Sequence, residues 1–361
     1  MSKPIVIIGG GIAGIAAASE LRRAGAEPLL LEAERTLGGR LTSLSGDGWR
    51  ADVTAPYFSQ TDTALWSLVR ESGLMVEANV LGDILKRIAP DNRLASHNKP
   101  FDSRRVALRS GWSSFFHWWT RYLRIRYGAR IDAVRWDKEE NAFLLRDAVT
   151  KKPYQGPDRR DLHAKAVLLA VPGPQAAAIA ANSAVLEPVR APLAQAVGYA
   201  PRVVGVFLCD AVDPGFYGAE GEEGANLEWL AFEERKGGIG QAPAGSSLVV
   251  ARASRALSER LFGASEDEVL ARLWSECRAL VPALPEKRQE AHALRWKAAY
   301  PRKEALIQIG ASGLPTRPEG AAIDIAGDYA GGGSDAGAAQ SGLEAAQRLI
   351  GRLKAQGESF R

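Results

Sequence analysis

The first stretch of the chain constrains its fold more than any other. Ile5-Val6-Ile7-Ile8 is an unbroken apolar run, the pattern of a strand buried on both faces. It leads into Gly9-Gly10-Gly11-Ile12-Ala13-Gly14, after which apolar residues recur at helical spacing to Ala24, and Gly25 stops the helix. Leu29 to Leu31 is a second apolar strand that ends on Glu32, 18 residues past Gly14. Strand, G-x-G-x-x-G, helix, strand and acid together predict the βαβ opening of a doubly wound α/β fold built around a dinucleotide. Gly9 permits the tight turn, Gly11 lets a pyrophosphate approach the backbone, and Gly14 lets helix and strand pack closely. The helix start at Ile12 and Ala13 offers free N–H groups and the positive end of a dipole to phosphate. A carboxylate at Glu32 accepts from a ribose 2′-OH and repels a 2′-phosphate. Only one such fingerprint is present, since Gly238-x-Gly240 has no apolar strand before it. A separate NADPH domain, as in a monooxygenase, is therefore disfavoured.

At 361 residues the chain is too long for one simple core, so two lobes are expected. With 46% apolar and 24% charged residues it has the composition of an ordinary globular protein. The net charge of +4 is spread along the chain. Its densest basic stretch, Arg121, Arg124, Arg126 and Arg130 interleaved with Trp118, Trp119 and Tyr122, reads as the solvated face of a helix over Gly111 to Tyr127. No nucleic-acid partner is expected. The two cysteines, Cys209 and Cys277, have no metal-ligand spacing, so no metal is expected and a reducing, cytoplasmic setting fits. The four histidines, His97, His117, His163 and His292, form no triad-like spacing and receive no catalytic role. No apolar run approaches the roughly 18 residues of a membrane span, and the N-terminal apolar run reads as a strand of the fold rather than a leader.

Further elements can be read along the chain. Helices are expected at Leu65 to Val69, Gln175 to Ala181, Glu266 to Leu280 and Gly337 to Lys354. Arg130 to Val134 and Ala142 to Arg146 form a hairpin-like pair, and Lys151 to Asp161 is a polar loop. Ala166 to Ala170 and Ile323 to Ala326 are buried strands, while Val203 to Leu208, Leu227 to Phe232 and Leu248 to Ala251 suggest a second sheet. The expected architecture is α/β: a Rossmann-type dinucleotide lobe of residues 1–60, 102–182 and 300–361, carrying an inserted, discontinuous α+β substrate lobe of residues 61–101 and 183–299.

After Glu32 the chain continues Ala33-Glu34-Arg35-Thr36-Leu37-Gly38-Gly39-Arg40, and near its end it reads Ile325-Ala326-Gly327-Asp328, then Gly331-Gly332-Gly333-Ser334-Asp335-Ala336-Gly337-Ala338. In these segments it resembles the flavin-containing amine oxidase superfamily. The resemblance implies FAD, with Ala33, Gly39 and Arg40 beside the phosphates and ribitol. It also implies backbone of Val134 against the adenine, Asp328 on the ribitol, and a helix N-terminus near Gly337 and Ala338 facing the pyrimidine side of the flavin. Neither Cys nor His occurs from Asp328 to Leu349, so the FAD is expected to be non-covalent.

Within that superfamily the chain is most similar to bacterial renalase-like proteins, in its size, its small inserted lobe, Leu294-Arg295-Trp296 and Gly327-Asp328-Tyr329. Amine oxidases proper carry a lysine near flavin N5, whereas the counterpart segment Tyr199 to Val206 has none. Renalases carry Gly-Ala-Gln-Tyr-Phe where this chain has Thr54-Ala55-Pro56-Tyr57-Phe58, which exchanges a glutamine for a rigid proline. Tyr57 and Trp296 are the candidate walls of a flat pocket over the flavin. The expected activity is hydride acceptance from a small reduced substrate, such as a dihydronicotinamide dinucleotide, with oxygen or another acceptor taking the electrons. An amine or amino-acid oxidase, or a non-enzymatic flavin-binding sensor or scaffold, are the alternatives. Oligomeric state cannot be read from the sequence.

Overall fold

The computed structural model describes residues 3–81, 85–95, 105–156, 158–237, 241–311, 313–316, 318–319 and 321–360, so His97 and residues 238–240 lie outside the described residues. The glycine motif opens a five-stranded parallel sheet in the order Ile323–Ile325, Ala166–Leu169, Ile5–Ile8, Leu29–Leu31, Arg124–Arg126. The three central strands are fully buried, which explains their unbroken apolar sequences. One face is covered by helices Ile12–Arg23, Asp335–Ala355, Thr63–Glu71 and Gly111–Thr120. The first two of these cross closely because Gly342 has no side chain: a Cβ there would overlap the carbonyl of Ala13.

The other face packs on the hairpin Ile131–Asp137 with Ala142–Asp147, on helix Gly173–Ala181, and on the turns Ala184–Val189 and Arg190–Gln195. Residues 184–196, which the sequence assigns to the substrate lobe, thus belong to the core of the dinucleotide lobe. Their small and branched apolar side chains (Val185, Leu186, Val189, Leu193, Ala196) fill the space beside that helix.

The second lobe is a six-stranded sheet in the order Glu290–Pro301, Tyr199–Asp210, Ser246–Ala253, Leu227–Phe232, Gly218–Gly221, Leu85–Ile88. Helices Arg255–Leu261 and Glu266–Leu280 cover its outer face. The second of these starts on a capping box in which Ser265 and Glu268 bond each other's backbone. The inner face, with Val204, Val206, Leu248 and Val250, packs against Trp49, Ala51 and Val53 near the N-terminus.

Two further differences from the sequence reading stand out. The expected helix over Gly111 to Tyr127 ends at Thr120, and Arg124–Arg126 is instead the edge strand of the parallel sheet. Arg-Ile-Arg alternates with period two, which suits an edge strand as well as a helix face. The 12-residue strand Glu290–Pro301 was not expected; its burial is intermediate almost throughout, so no apolar alternation marks it. Among the described residues no helix is long and apolar enough to cross a membrane.

Candidate functional site

In the N-terminal motif the glycines divide into two kinds. Gly9 (φ +109) and Gly14 are needed for packing: a Cβ at Gly9 would overlap the carbonyl of Ala170, and one at Gly14 the carbonyl of Gly9. Gly11 differs. A Cβ there would meet nothing closer than the carbonyl oxygen of Gly38 at 4.0 Å, and at Gly39 nothing closer than the Cα of Gly11 at 3.8 Å. The two segments lie side by side, and a methyl at either glycine would make only ordinary contacts with protein. Gly11 is also the N-cap of helix Ile12–Arg23, which has no capping side chain and no acid in its first turn. Gly11 is bridged to Gly38, with Gly38 N donating to the Gly10 carbonyl at 2.9 Å, while the amide of Ala13 has no partner among the described residues and is left for an anion. Glu32 is buried beside it, accepting from Gly10 N at 2.7 Å and Glu34 N at 2.8 Å, with Ala33 half-buried next to it. Each carboxylate oxygen keeps a lone pair for a hydroxyl.

The structure alters the expectation for Val134. Its N–H donates to Ser183 Oγ at 2.8 Å and its side chain is fully buried, so that amide is not free for adenine. The segment beside Glu32 lies just upstream: Ala129 N donates to the Glu32 carbonyl at 2.9 Å, and Arg130 pairs with Glu34 at 2.7 Å.

At the other end, residues far apart in sequence meet. Arg40 Nη1 bonds Asp328 Oδ2 at 2.5 Å and the carbonyl of Ala299 at 2.9 Å, tying the N-terminal motif to the C-terminal one and to the substrate lobe. Tyr199 donates to Asp328 Oδ1 at 2.7 Å. Arg40 uses Nη1 for these bonds, while Nε and Nη2 have no partner among the described residues. That guanidinium edge suits phosphate oxygens.

The terminal helix begins at Asp335, two residues earlier than the sequence suggested. Gly337 N is capped by Ser334 Oγ at 3.0 Å and Ala338 N bonds the Ser334 carbonyl, so neither amide is available. The open amides are those of Asp335 and Ala336, which line a cavity of about 440 Å³ with Tyr57, Phe58 and Arg105. Asp335 is exposed at the wall of this cavity. Desolvation raises its carboxyl above the ordinary range, while Arg202 and Arg40 pull the other way.

Tyr57 stands on that cavity wall, donating to Glu220 at 2.7 Å beneath the guanidinium of Arg105, 4.5 Å from its ring. Burial first, then Glu220, raises its hydroxyl pKa. Trp296 is not brought to the same place. It pairs across to Arg202 and packs with the apolar inner-face cluster instead of lining the cavity. Next to it lies a polar group that sequence reading missed. Arg202 bonds Tyr300 at 2.5 Å, Tyr300 bonds Glu228, and Arg252 lies 3.6 Å from Glu228. Glu228 and Tyr300 line a second cavity of about 580 Å³. Both cysteines are buried in the core under the outer helices, and no metal-binding cluster occurs among the described residues.

A helix start without a capping side chain beside a buried acid, and a second helix start lining a cavity near the lobe boundary, is the arrangement of a two-lobe dinucleotide-binding protein. Residues 7–72 match the NAD(P)-binding Rossmann-like domain, and residues 118–350 match the flavin containing amine oxidoreductases. The chain belongs to the flavin-containing amine oxidoreductase family; it is an FAD-dependent oxidoreductase, and the helix start at Gly11 without a capping side chain and the unused edge of Arg40 fit that cofactor.

Pseudooxynicotine dehydrogenase from a Pseudomonas species is 39% identical over 75 residues, which is 21% of this chain but only 15% of that protein. Cyclohexylamine oxidase from Brevibacterium oxydans shares the fold with a TM-score of 0.73 at 13% identity, over 98% of this chain and 100% of that one. A protein assigned as a protoporphyrinogen oxidase from Exiguobacterium does so with a TM-score of 0.72 at 14% identity, over 98% and 99% of the two chains. At such identities the likeness is one of fold.

Proposed function

We propose that this chain oxidises a small amine-type substrate, removing hydride from a carbon bonded to, or conjugated with, nitrogen. The observation that carries this reading is the cavity of about 440 Å³, which joins the open start of the Asp335 helix to the substrate-lobe side through Tyr57 and Arg105. When bound, FAD supplies the two-electron acceptor. The chain's own residues hold and orient. Gly11, Ile12 and Ala13 seat the pyrophosphate, Glu32 and Ala33 the ribose, and Gly39, Arg40 and Asp328 the ribitol side. The amides of Asp335 and Ala336 stabilise negative charge at the flavin end. Tyr57 walls the cleft, and the inner sheet face excludes water. The absence of Cys or His from the C-terminal motif, and the burial of both cysteines elsewhere, support non-covalent FAD.

One observation favours a narrower, renalase-like reading in which the donor is a dihydronicotinamide dinucleotide. The strand Tyr199–Asp210 carries no lysine, and the fully buried Lys236 is engaged by Asp52 and Glu233. A dihydropyridine already holds a loose hydride and needs no base. Anaerobic mixing of the purified protein with amines, amino acids and dihydronicotinamides, following the flavin band near roughly 450 nm, separates these readings. Rapid bleaching by amines or amino acids supports the first, and by dihydronicotinamides alone the second. No bleaching by any of them refutes both and leaves a non-enzymatic flavin protein.

A further inference from the structure

The inner face of the six-stranded sheet carries two arginines beside the cavity lined by Glu228 and Tyr300, and completes the bonding of neither. Arg252 follows the inner-face Val250 by two residues and pairs across to Val204 and Trp229. It is 7% exposed, and its buried Nε has no hydrogen-bond partner. The one anion paired with it, Glu228, lies 3.6 Å away and already accepts the hydroxyl of Tyr300. Arg202 stacks on the Tyr300 ring at 3.9 Å, donates to its hydroxyl, and reaches the Thr54 carbonyl at 3.4 Å. It has no ion-pair partner among the described residues.

Two register shifts put these groups together. One lies between Ala200 and Arg202, and the other, between Leu227 and Trp229, leaves Glu228 as the extra residue. Bulges of this kind re-aim side chains beside functional clefts. Arg252 pairs with Glu228 and Arg202 bonds Tyr300, and both of those partners line the cavity of about 580 Å³.

A buried guanidinium with an open N–H is unfavourable unless something polar completes it. Its planar fork matches two oxygens of a carboxylate or phosphate. We propose that Arg252, with Arg202 beside it, seats an anionic group, carboxylate or phosphate, on the substrate. The substrate class is then a nitrogen-activated hydride donor that carries such a group. This rests on the reading of the cleft as the place of amine-type oxidation.

The test uses the FAD-loaded protein and two pairs of donors: an α-amino acid against its decarboxylated amine, and reduced nicotinamide mononucleotide against its nucleoside. The binding of inorganic phosphate and of acetate is measured separately by calorimetry. The anionic member of one pair is expected to reduce the flavin with a KM at least about tenfold lower. A preference in the first pair identifies a carboxylate, and in the second a phosphate. Arg252→Met brings the ratio below about twofold, Arg252→Lys leaves it intermediate, and both keep their FAD. Arg202→Met, the second variant, lowers the ratio as well. Arg295→Gln, on an exposed side chain, leaves it unchanged.

Equal reduction by charged and uncharged donors overturns this inference while the proposed function stands. Reduction by none overturns the proposed function, and calorimetry then decides the inference alone. Anion binding that Arg252→Met abolishes supports it, and no anion binding overturns it.

Discussion

Replacing Lys236 by methionine takes the cation out of a fully buried set of charges where the two lobes meet. The ammonium bonds Asp52 and lies 3.7 Å from Glu233, with the three side chains between 1% and 3% exposed. Asp52 belongs to the N-terminal hairpin and Glu233 to the turn after strand Leu227–Phe232, so both lobes share the cluster. The other Asp52 oxygen accepts from Ser43 Oγ at 2.6 Å and Trp112 N at 3.0 Å, and Glu233 accepts from Asp52 N at 3.1 Å. Burial lowers the Lys236 pKa, but Asp52 and Glu233 outweigh it and hold it above the ordinary value.

Methionine keeps most of the aliphatic volume, so the loss is electrostatic: two carboxylates remain buried without a counter-ion. Breaking a buried pair in this way costs about 3–5 kcal/mol. At about 2.1 cal/mol/K of unfolding entropy per residue, 361 residues give about 0.76 kcal/mol/K, so Tm should fall by about 4–7 °C. The assay is thermal unfolding of the FAD-saturated protein, followed by circular dichroism and flavin fluorescence, at about pH 8 and about pH 5. At the lower pH Glu233, whose carboxyl burial already raises to about 6, takes up a proton and the deficit shrinks. A Tm within about 1 °C of wild type at the higher pH, or an equal deficit at both, would refute the reasoning.

Two other predictions follow from named contacts. Desolvation raises the Glu233 carboxyl to about 6, Lys236 opposing and Asp52 adding to it. The folded state therefore holds a proton that the unfolded state has released between about 4.5 and about 6. Stability of the wild type relative to Glu233→Gln should fall by up to about 2 kcal/mol as pH rises through that window and stay level above it. Unfolding curves of the two proteins at stepped pH check this, and parallel stabilities throughout would contradict it. Asp328→Ala removes the shared acceptor of Arg40 and Tyr199 and should weaken FAD binding by about tenfold or more, measured by flavin fluorescence quenching on titration of the apoprotein.

The parts of the fold that are legible in the sequence are those whose signals are local. Strand Ile5–Ile8 and helix Ile12–Arg23 follow from apolar runs and glycines, and the bounds of Glu266–Leu280 from Ser265 and Glu268 at capping spacing. Strand Glu290–Pro301 escaped because both its faces are half-buried, and Arg124–Arg126 because three residues suit either period. The dinucleotide lane was readable for the same local reason. The cluster of Arg202, Glu228, Arg252 and Tyr300 was not, since strand order and two bulges assemble it from four separate strands. The adenine-side expectation fell on Val134 because a strand's amides are interchangeable in sequence; only the Ser183 hydroxyl reveals which one is taken.

The central claim is that the opening of the chain forms a lane for FAD pyrophosphate, and Gly11 tests it most directly. Its backbone is ordinary (φ −74°) and a Cβ there would meet nothing closer than the Gly38 carbonyl oxygen at 4.0 Å, so Gly11→Ala should leave the apoprotein Tm within about 2 °C of wild type. It should nonetheless raise the Kd for FAD by about a hundredfold or more. Gly14→Ala, whose methyl meets the Gly9 carbonyl, should instead unsettle the apoprotein itself. FAD titration of the Gly11→Ala apoprotein giving wild-type affinity would contradict the account.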